Sequence, residues 1–180
     1  MTEAVRFEVE NVAETLRTLR KVRPELARDA VKRLKDVGRI ITADAKATVP
    51  RQALSGWTSW TTKSGSDMGW NAGKVKRGIT VQQRNTAQRD PRTRQRQSTI
   101  NVLTVTNRSG PGQLFETAGR ITRGETRSGR AMVDAIERKY GNASRLVWAA
   151  AERNEGNVER ALRQALDDTE RAINLELARR

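Results

Sequence analysis

The sequence of 180 residues contains no cysteine and no histidine. Without cysteine there is no disulfide framework and no thiol nucleophile. Without histidine the chain lacks the commonest general base and the commonest metal ligand, so a zinc site built from cysteine and histidine is excluded. A metal site would have to consist of carboxylates, and Asp36 and Asp44 lie eight positions apart on a predicted helix, too far to share one ion. We therefore expect no catalytic residues, no cofactor and no metal, in a protein that is not an enzyme.

The sequence also lacks long apolar runs and is poor in aromatic residues. No run of about 18 apolar residues occurs, so we expect no membrane-spanning helix. The N-terminal MTEAVRFEVE has no apolar signal core, and no secretory route is expected. Hydrophobic residues make up 36% of the chain, charged residues 31% and aromatic residues 4%. This composition predicts one domain over 1–180, comprising N-terminal helices (1–50), a Trp-rich loop and hairpin (51–120) and C-terminal helices (121–180).

Positive charge is what the sequence has in excess. The formal net charge is +14 and the isoelectric point is about 11.3. Residues 51–142 carry 17 basic and 6 acidic residues, whereas residues 143–180 carry seven of each. Such a field attracts polyanions or acidic protein surfaces. Most of the central cations are arginines, which make bidentate contacts with phosphate or carboxylate.

Apolar residues recur at helical spacing on both sides of this basic middle. A short strand over 5–9 and a short helix from Asn11 come first. A long amphipathic helix is predicted from Pro24 to about residue 48, with one buried stripe formed by Leu26, Ala30, Leu34, Val37, Ile41 and Ala45. Gly38 is expected to weaken this helix slightly. A further helix is predicted to begin at Ser128 or Gly129 and to end at Gly141, which suits the position just past a helix.

The last predicted helix spans about 144–179. Asn142 or Ser144 is expected to cap its start, and a kink is expected at Gly156-Asn157.

Period-two alternation appears only in the middle of the chain. Residues 75–83 and 98–106 alternate apolar and polar side chains with many β-branched residues, which predicts a β-hairpin. Between them, residues 84–97 contain five arginines and are expected to form a loop that either stays solvated or orders on assembly. Gly110-Pro111-Gly112 predicts a hard turn, and residues 119–130 predict a second basic loop.

Three tryptophans, Trp57, Trp60 and Trp70, interrupt the polar segment 51–73. Two interpretations stay open: the rings fold back onto the core, or they anchor a protein interface, where tryptophan is enriched. Stacking on single-stranded nucleic acid is a third interpretation, and it requires a positive groove beside the rings. The candidate interface residues of the chain are Trp57, Trp60, Trp70, Arg84, Arg89, Arg92, Arg94, Arg96, Phe115, Arg120, Arg123 and Arg127.

The order of these motifs resembles the tail-completion, or neck, proteins of long-tailed bacteriophages, which are head–tail connector components. The resemblance covers most of the chain. KVRPEL at 21–26 leads into the long helix that ends at Val49-Pro50, and the hairpin follows. LFETAGR at 114–120 matches the family's short aromatic-Glu segment. RLVWAA at 145–150 and the amphipathic stretch 158–177 match its C-terminal helix.

The resemblance implies an α+β fold, with the long N-terminal helix and the C-terminal helices packed on a small antiparallel β-sheet with long basic loops. It implies a structural virion protein, assembled in the host cytoplasm as a homo-oligomeric ring of six copies at the head–tail junction. The implied partners are further copies of the chain, the head-closure, tail-terminator and tail-tube proteins and the DNA passing through the neck, with no membrane. The strand 98–106 is expected to be an edge strand that could pair with a neighbour. The alternative functions are a tail terminator and a free basic nucleic-acid-binding protein.

Overall fold

The computed structural model describes residues 4–7, 21, 23–62, 64–89, 96–120 and 126–178. For the strand residues 4–7, 83–89 and 96–102, and for 176–177, it describes the backbone only. The helix predicted from Asn11 lies outside these residues. The fold is α+β, with six helices in the described residues packed on a small antiparallel sheet.

The chain divides into two compact units, each built from three stretches. The first comprises Met1–Val5, Ile41–Thr80 and Val105–Arg153. The second comprises Arg6–Ile40, Val81–Thr104 and Asn154–Arg180. The predicted segments 1–50, 51–120 and 121–180 therefore do not coincide with these units.

The long N-terminal helix, α1, spans Pro24–Ala47 and confirms the predicted amphipathic element. Leu26 is half-buried, and the other five residues of the predicted stripe are buried. In the second unit Ala30 and Leu34 form an apolar cluster with Val31 and Leu162. Beside this cluster an Arg33 guanidinium nitrogen lies 2.8 Å from an Asp168 carboxylate oxygen. The helix is thus held by the apolar face that its sequence repeats.

Gly38 has a packing role that the sequence did not indicate. A Cβ atom at this position would lie 2.9 Å from side-chain carbons of both Val81 and Leu103. These residues belong to the two long strands, so the missing side chain lets the helix backbone approach the sheet. The expectation that Gly38 merely weakens α1 is therefore incomplete, because close packing compensates for its poor helix propensity.

Replacing Gly38 by alanine is expected to destabilise the protein. Overpacking typically costs about 1–3 kcal/mol, which outweighs a helix-propensity gain of about 1 kcal/mol. The matched control is Gly156→Ala, because a Cβ there meets no atom within 4 Å. Urea unfolding should show a loss of stability for Gly38→Ala and no loss for Gly156→Ala. Equal stability of Gly38→Ala and the wild type would contradict the close approach.

The sheet consists of β1 (Ala4–Phe7), β2 (Ile79–Arg89) and β3 (Arg96–Asn107), in the order β1-β3-β2. β2 and β3 form the antiparallel hairpin. Two predictions are corrected here. Most of the predicted loop 84–97 is strand. Alternation of apolar and polar residues indicates a strand with one buried face, but the hydrogen bonds between strands form without it. The strand predicted over 98–106 is central rather than an edge, because β1 lies on its second side.

The hairpin also begins later than its predicted start at residue 75. Residues Ala72–Gly78 form a short helix, α2. The Asn71 side chain caps it by accepting a hydrogen bond from the Lys74 N–H at 2.8 Å. Val75 is fully buried. A single buried valine fits a strand or a helix equally well, and the asparagine cap decides for the helix.

Residues Gly110–Thr117 form α3, so the glycine and proline residues predicted to make a hard turn instead form a first helical turn. The Ser109 hydroxyl caps this helix by accepting from the Gly112 N–H at 3.1 Å. Pro111 suits the position, because the first N–H groups of a helix have no partner within it.

The next helix, α4, spans Arg127–Tyr140 and opens at Thr126, two to three residues before the predicted start. The Thr126 hydroxyl accepts from the Gly129 N–H at 3.1 Å. Gly141 ends this helix with a φ of 79°, which confirms its predicted role.

Two more helices complete the described chain, α5 (Val147–Arg153) and α6 (Glu155–Ala178). The kink predicted at 156–157 is a break between these two helices and lies at Asn154 instead. In the second unit the Val158 N–H donates to the Asn154 carbonyl, so residues 156–157 already belong to the last helix. No helix within the described ranges is long and apolar enough to cross a membrane.

Candidate interaction site

The first unit contains a chain of four aromatic rings. The ring centroids of Trp57 and Trp70 are 5.1 Å apart, and those of Trp70 and Phe115 are also 5.1 Å apart. Phe115 meets Tyr140 edge-on at 5.0 Å. Trp57, Trp70 and Phe115 are 5%, 8% and 1% exposed. Tilted and edge-on pairs at this spacing are favourable contacts, so these rings form part of the core.

The polar ends of these rings tie the irregular segment 51–70 in place. The indole N–H of Trp57 donates to the Met68 carbonyl at 2.8 Å, and that of Trp70 donates to the Pro50 carbonyl at 3.2 Å. The Tyr140 hydroxyl donates to the Ala53 carbonyl at 2.9 Å. Since a buried indole or phenol needs a hydrogen-bond partner, these bonds fix the segment against the helices.

Trp57, Trp70 and Phe115 were predicted as interface residues, and the structure corrects that prediction. Their rings are buried within the unit and are not available on its surface. The interpretation in which the tryptophans fold back onto the core applies to Trp57 and Trp70.

Trp60 is different, because 43% of its surface is exposed. Its backbone is held firmly, since its carbonyl accepts from the Met68 N–H at 2.7 Å and its neighbour Thr61 pairs with Asp67. The side chain borders a groove of about 440 Å³ lined by Leu54, Ser55, Gly56, Trp57, Trp60, Met132 and Ala135. A rigidly presented tryptophan beside an apolar groove is typical of an interface anchor. Of the three predicted tryptophans, Trp60 alone keeps the interface interpretation.

The predicted arginines fall into three groups. Arg120 and Arg127 are exposed, and the Arg120 guanidinium lies 5.6 Å from the centre of the Trp148 ring. The backbones of Arg84, Arg89 and Arg96 lie in β2 and β3. The remaining three lie outside the described residues: Arg92, Arg94 and Arg123. The structure thus places three of the predicted cations on the hairpin strands and two on the first unit.

The first unit also contains a buried charged pair, Glu116 and Arg145, that was not predicted from the sequence. Glu116 is 3% exposed, and its carboxylate accepts hydrogen bonds from the backbone N–H groups of Leu146 and Trp148 at the start of α5, the second at 3.0 Å. This carboxylate satisfies N–H groups that have no partner within the helix. It therefore fills the capping role expected of Asn142 or Ser144.

Arg145 makes the reciprocal contact with α3. Its guanidinium donates to the carbonyls of Phe115 at 2.7 Å and Ala118 at 3.0 Å, where α3 ends. Its Nε donates to the Gly141 carbonyl at 2.9 Å, just past α4. One arginine thus joins the C-terminal ends of two helices, where a cation is favoured by the helix dipole. The arrangement holds α3, α4 and α5 together.

Gly119, in the LFETAGR segment, belongs to the same arrangement. Its φ is +89°, a conformation that favours glycine. A Cβ here would collide with the Glu137 carboxylate. These contacts show that the fold itself requires the glutamate and the glycine of the LFETAGR segment.

Burial sets the ionisation of both charged groups. It raises the pKa of Glu116 above its ordinary value of 4.5, although backbone N–H groups and Arg145 oppose the shift. Burial also lowers the pKa of Arg145, and the Glu137 and Glu116 carboxylates oppose that shift. Desolvation disfavours the charged form in each case.

The raised pKa predicts a pH dependence. The folded state holds the Glu116 proton more tightly than the unfolded state, so this group stabilises the fold most below pH 4.5 and loses that contribution as the pH rises through the folded pKa. The measurement is the difference in unfolding free energy between the wild type and Glu116→Gln, which cannot titrate. The wild type should become less stable relative to Glu116→Gln as the pH rises from about 4. A constant or opposite trend would contradict the assignment.

A signal for Glu116 was present in the sequence. Glu116 is a charged residue directly after two large apolar residues, on a short helix whose other positions, apart from Gln113, are apolar or small.

No group of three or more acidic residues in the described ranges could hold a metal ion. No protein-family model, curated protein or solved structure matches this chain.

Proposed function

We propose that this chain is a structural protein of the head–tail junction of a long-tailed bacteriophage, where it assembles with further copies as a ring. The observation that carries the proposal is the order of elements. A long amphipathic helix precedes an antiparallel hairpin, then α3 with its LFETAGR segment, and then the C-terminal helices. This order agrees with the order of motifs on which the resemblance rests, and this agreement supports the proposal.

Two further features support an assembly role. Trp60 is presented beside an apolar groove, which suits contact with another protein. The hairpin strands carry arginine and no acidic residue, which suits contact with acidic subunits or with DNA in the neck. The proposed partners are the head-closure, tail-terminator and tail-tube proteins.

Gold-labelled antibodies against the chain test the proposal on purified virions. We expect label at the head–tail junction. Deleting the gene should yield heads and tails that do not join, and the wild-type gene supplied in trans should restore joined particles. Unlabelled virions, or a deletion that leaves infectivity unchanged, would overturn the proposal. Joined particles whose tails vary in length would favour the tail-terminator alternative.

The net charge of +14 favours a second candidate, a free nucleic-acid-binding protein. Titrating duplex binding with salt separates the two functions. A dedicated DNA-binding protein should show submicromolar affinity at moderate salt and a log–log slope of several units. Weak binding that vanishes by physiological salt would exclude this candidate.

A further inference from the structure

The hairpin has two different sides on which further strands can pair. In the described residues β2 has a strand neighbour on one side only, since the sheet order is β1-β3-β2. On the other side of the hairpin, β1 is four residues long and β3 is twelve. Strand pairing proceeds residue by residue, so β1 can cover only about a third of β3. In the described residues the ribbon therefore has an outer β2 edge with no strand neighbour, and β3, although central in the sheet order, has a stretch that β1 is too short to cover.

The two strands carry few of the features that prevent pairing between molecules. Edge strands of monomeric proteins are commonly protected by lysine, proline, a bulge or a covering segment. Neither ITVQQRNTAQR in β2 nor RQSTINVLTVTN in β3 contains lysine, proline or an acidic residue. The arginines, Arg84, Arg89 and Arg96, are the charged residues of the two strands. At 11 and 12 residues, the strands are also long for edges.

The directions of the strands determine what kind of assembly each pairing produces. β2 and β3 run antiparallel. When the β2 edge of one copy pairs antiparallel with the β3 edge of the next, the alternation continues and every hairpin points the same way. This contact joins two different edges, so it is heterologous and its repetition can close a ring. Pairing of β2 with β2 would instead reverse alternate hairpins and stop at a two-fold dimer.

We propose that copies of this chain join through their hairpins, the outer β2 edge of one copy pairing with the stretch of β3 that β1 does not cover in the next. The occupant of each edge is thus a second copy. The directions of the two edges match, and closure of the ring would cover both β2 and the stretch of β3 that β1 leaves uncovered. The inference rests on the ring in the proposed function, but not on its place in a virion.

Charge adds an expectation that distinguishes this contact from one held by ion pairs. The strands bring arginine to the contact and no carboxylate, so joining copies brings like charges together. Salt screens such repulsion. Assembly should therefore be stronger at high salt than at low salt. An interface held by ion pairs would show the opposite dependence, and that result would count against the pairing.

Proline variants test the two edges separately. The N–H groups of a strand point alternately to its two sides, so one of two adjacent positions donates away from its hairpin partner. We would prepare Asn85→Pro and Thr86→Pro in β2, and Ser98→Pro and Thr99→Pro in β3. In each pair, the variant that keeps the thermal midpoint of the monomer blocks the outer edge. Its neighbour, which breaks the hairpin, is the matched control.

Sedimentation of the edge-blocked variants, alone and mixed, decides the outcome. We expect the wild type to form a species of several copies and each edge-blocked variant to be monomeric. An equimolar mixture of the β2-blocked and β3-blocked variants should form a species of two copies and nothing larger, because one intact edge of each kind is left.

Three results would overturn the proposal. A dimer formed by the β3-blocked variant alone would indicate pairing of β2 with β2. Edge-blocked variants that keep the wild-type mass would place the contact elsewhere and leave the proposed ring intact. A wild type that stays monomeric at every concentration and salt would contradict both the pairing and the ring.

Discussion

Replacing Leu34 by aspartate is expected to unfold the protein. Leu34 is 4% exposed and packs with Ala30, Val31 and Leu162 in the second unit. Loss of a buried leucine side chain typically costs about 2–5 kcal/mol. An unpaired carboxylate in the same position adds several kcal/mol. Domains of this size are usually stable by only about 5–15 kcal/mol. Far-UV circular dichroism should therefore show no cooperative thermal transition.

Lys35→Asp is the matched control for this prediction. Lys35 is the next residue of α1 and is exposed, so the same new side chain would face water there. We expect this variant to keep a cooperative transition near that of the wild type. A folded, soluble Leu34→Asp variant would refute the buried face of α1.

The second large effect is expected from Glu116→Ala. The substitution removes the acceptor for two backbone N–H groups at the start of α5 and a carboxylate near the buried guanidinium of Arg145. Each buried group left without a partner costs about 1–3 kcal/mol. We expect a total loss on the order of 3 kcal/mol or more in urea unfolding.

Glu152→Ala provides the comparison. Glu152 lies on α5 itself and is exposed, so its removal should change stability by at most about 0.5 kcal/mol. If Glu116→Ala were no more harmful than this control, the carboxylate would not be capping α5. Glu116→Gln should fall between the two, because an amide oxygen keeps one acceptor.

The position and the buried face of α1 could be predicted because the signals are local. Pro24 marks its start, Pro50 follows its end, and the apolar stripe repeats at helical spacing. The end of α4 at Gly141 could be predicted for the same reason. The cap at Asn71 is equally local, but the prediction rested on the β-rich composition around Val75 and did not consider the cap. The start of the hairpin was misplaced as a result.

The extent of the hairpin could not be predicted from alternation. Residues 84–89 lack an apolar period, yet their backbone pairs in β2. Hydrogen bonds between strands depend on the partner's backbone and not on side-chain hydrophobicity. The central place of β3 depends on β1, which lies about ninety residues earlier in the chain and about which the sequence of β3 carries no information.

The sequence by itself determined the composition-level limits and the local elements: no thiol or imidazole chemistry, a basic middle, the amphipathic α1 and a hairpin between helices. Only the tertiary structure decided that Trp57 and Trp70 are core residues while Trp60 stays exposed, since an indole suits either environment. It also decided that Glu116 caps α5 by accepting from the N–H of Leu146, which lies thirty residues later in the chain. Such contacts join segments that are distant in the chain, so their partners emerge only once the chain is folded.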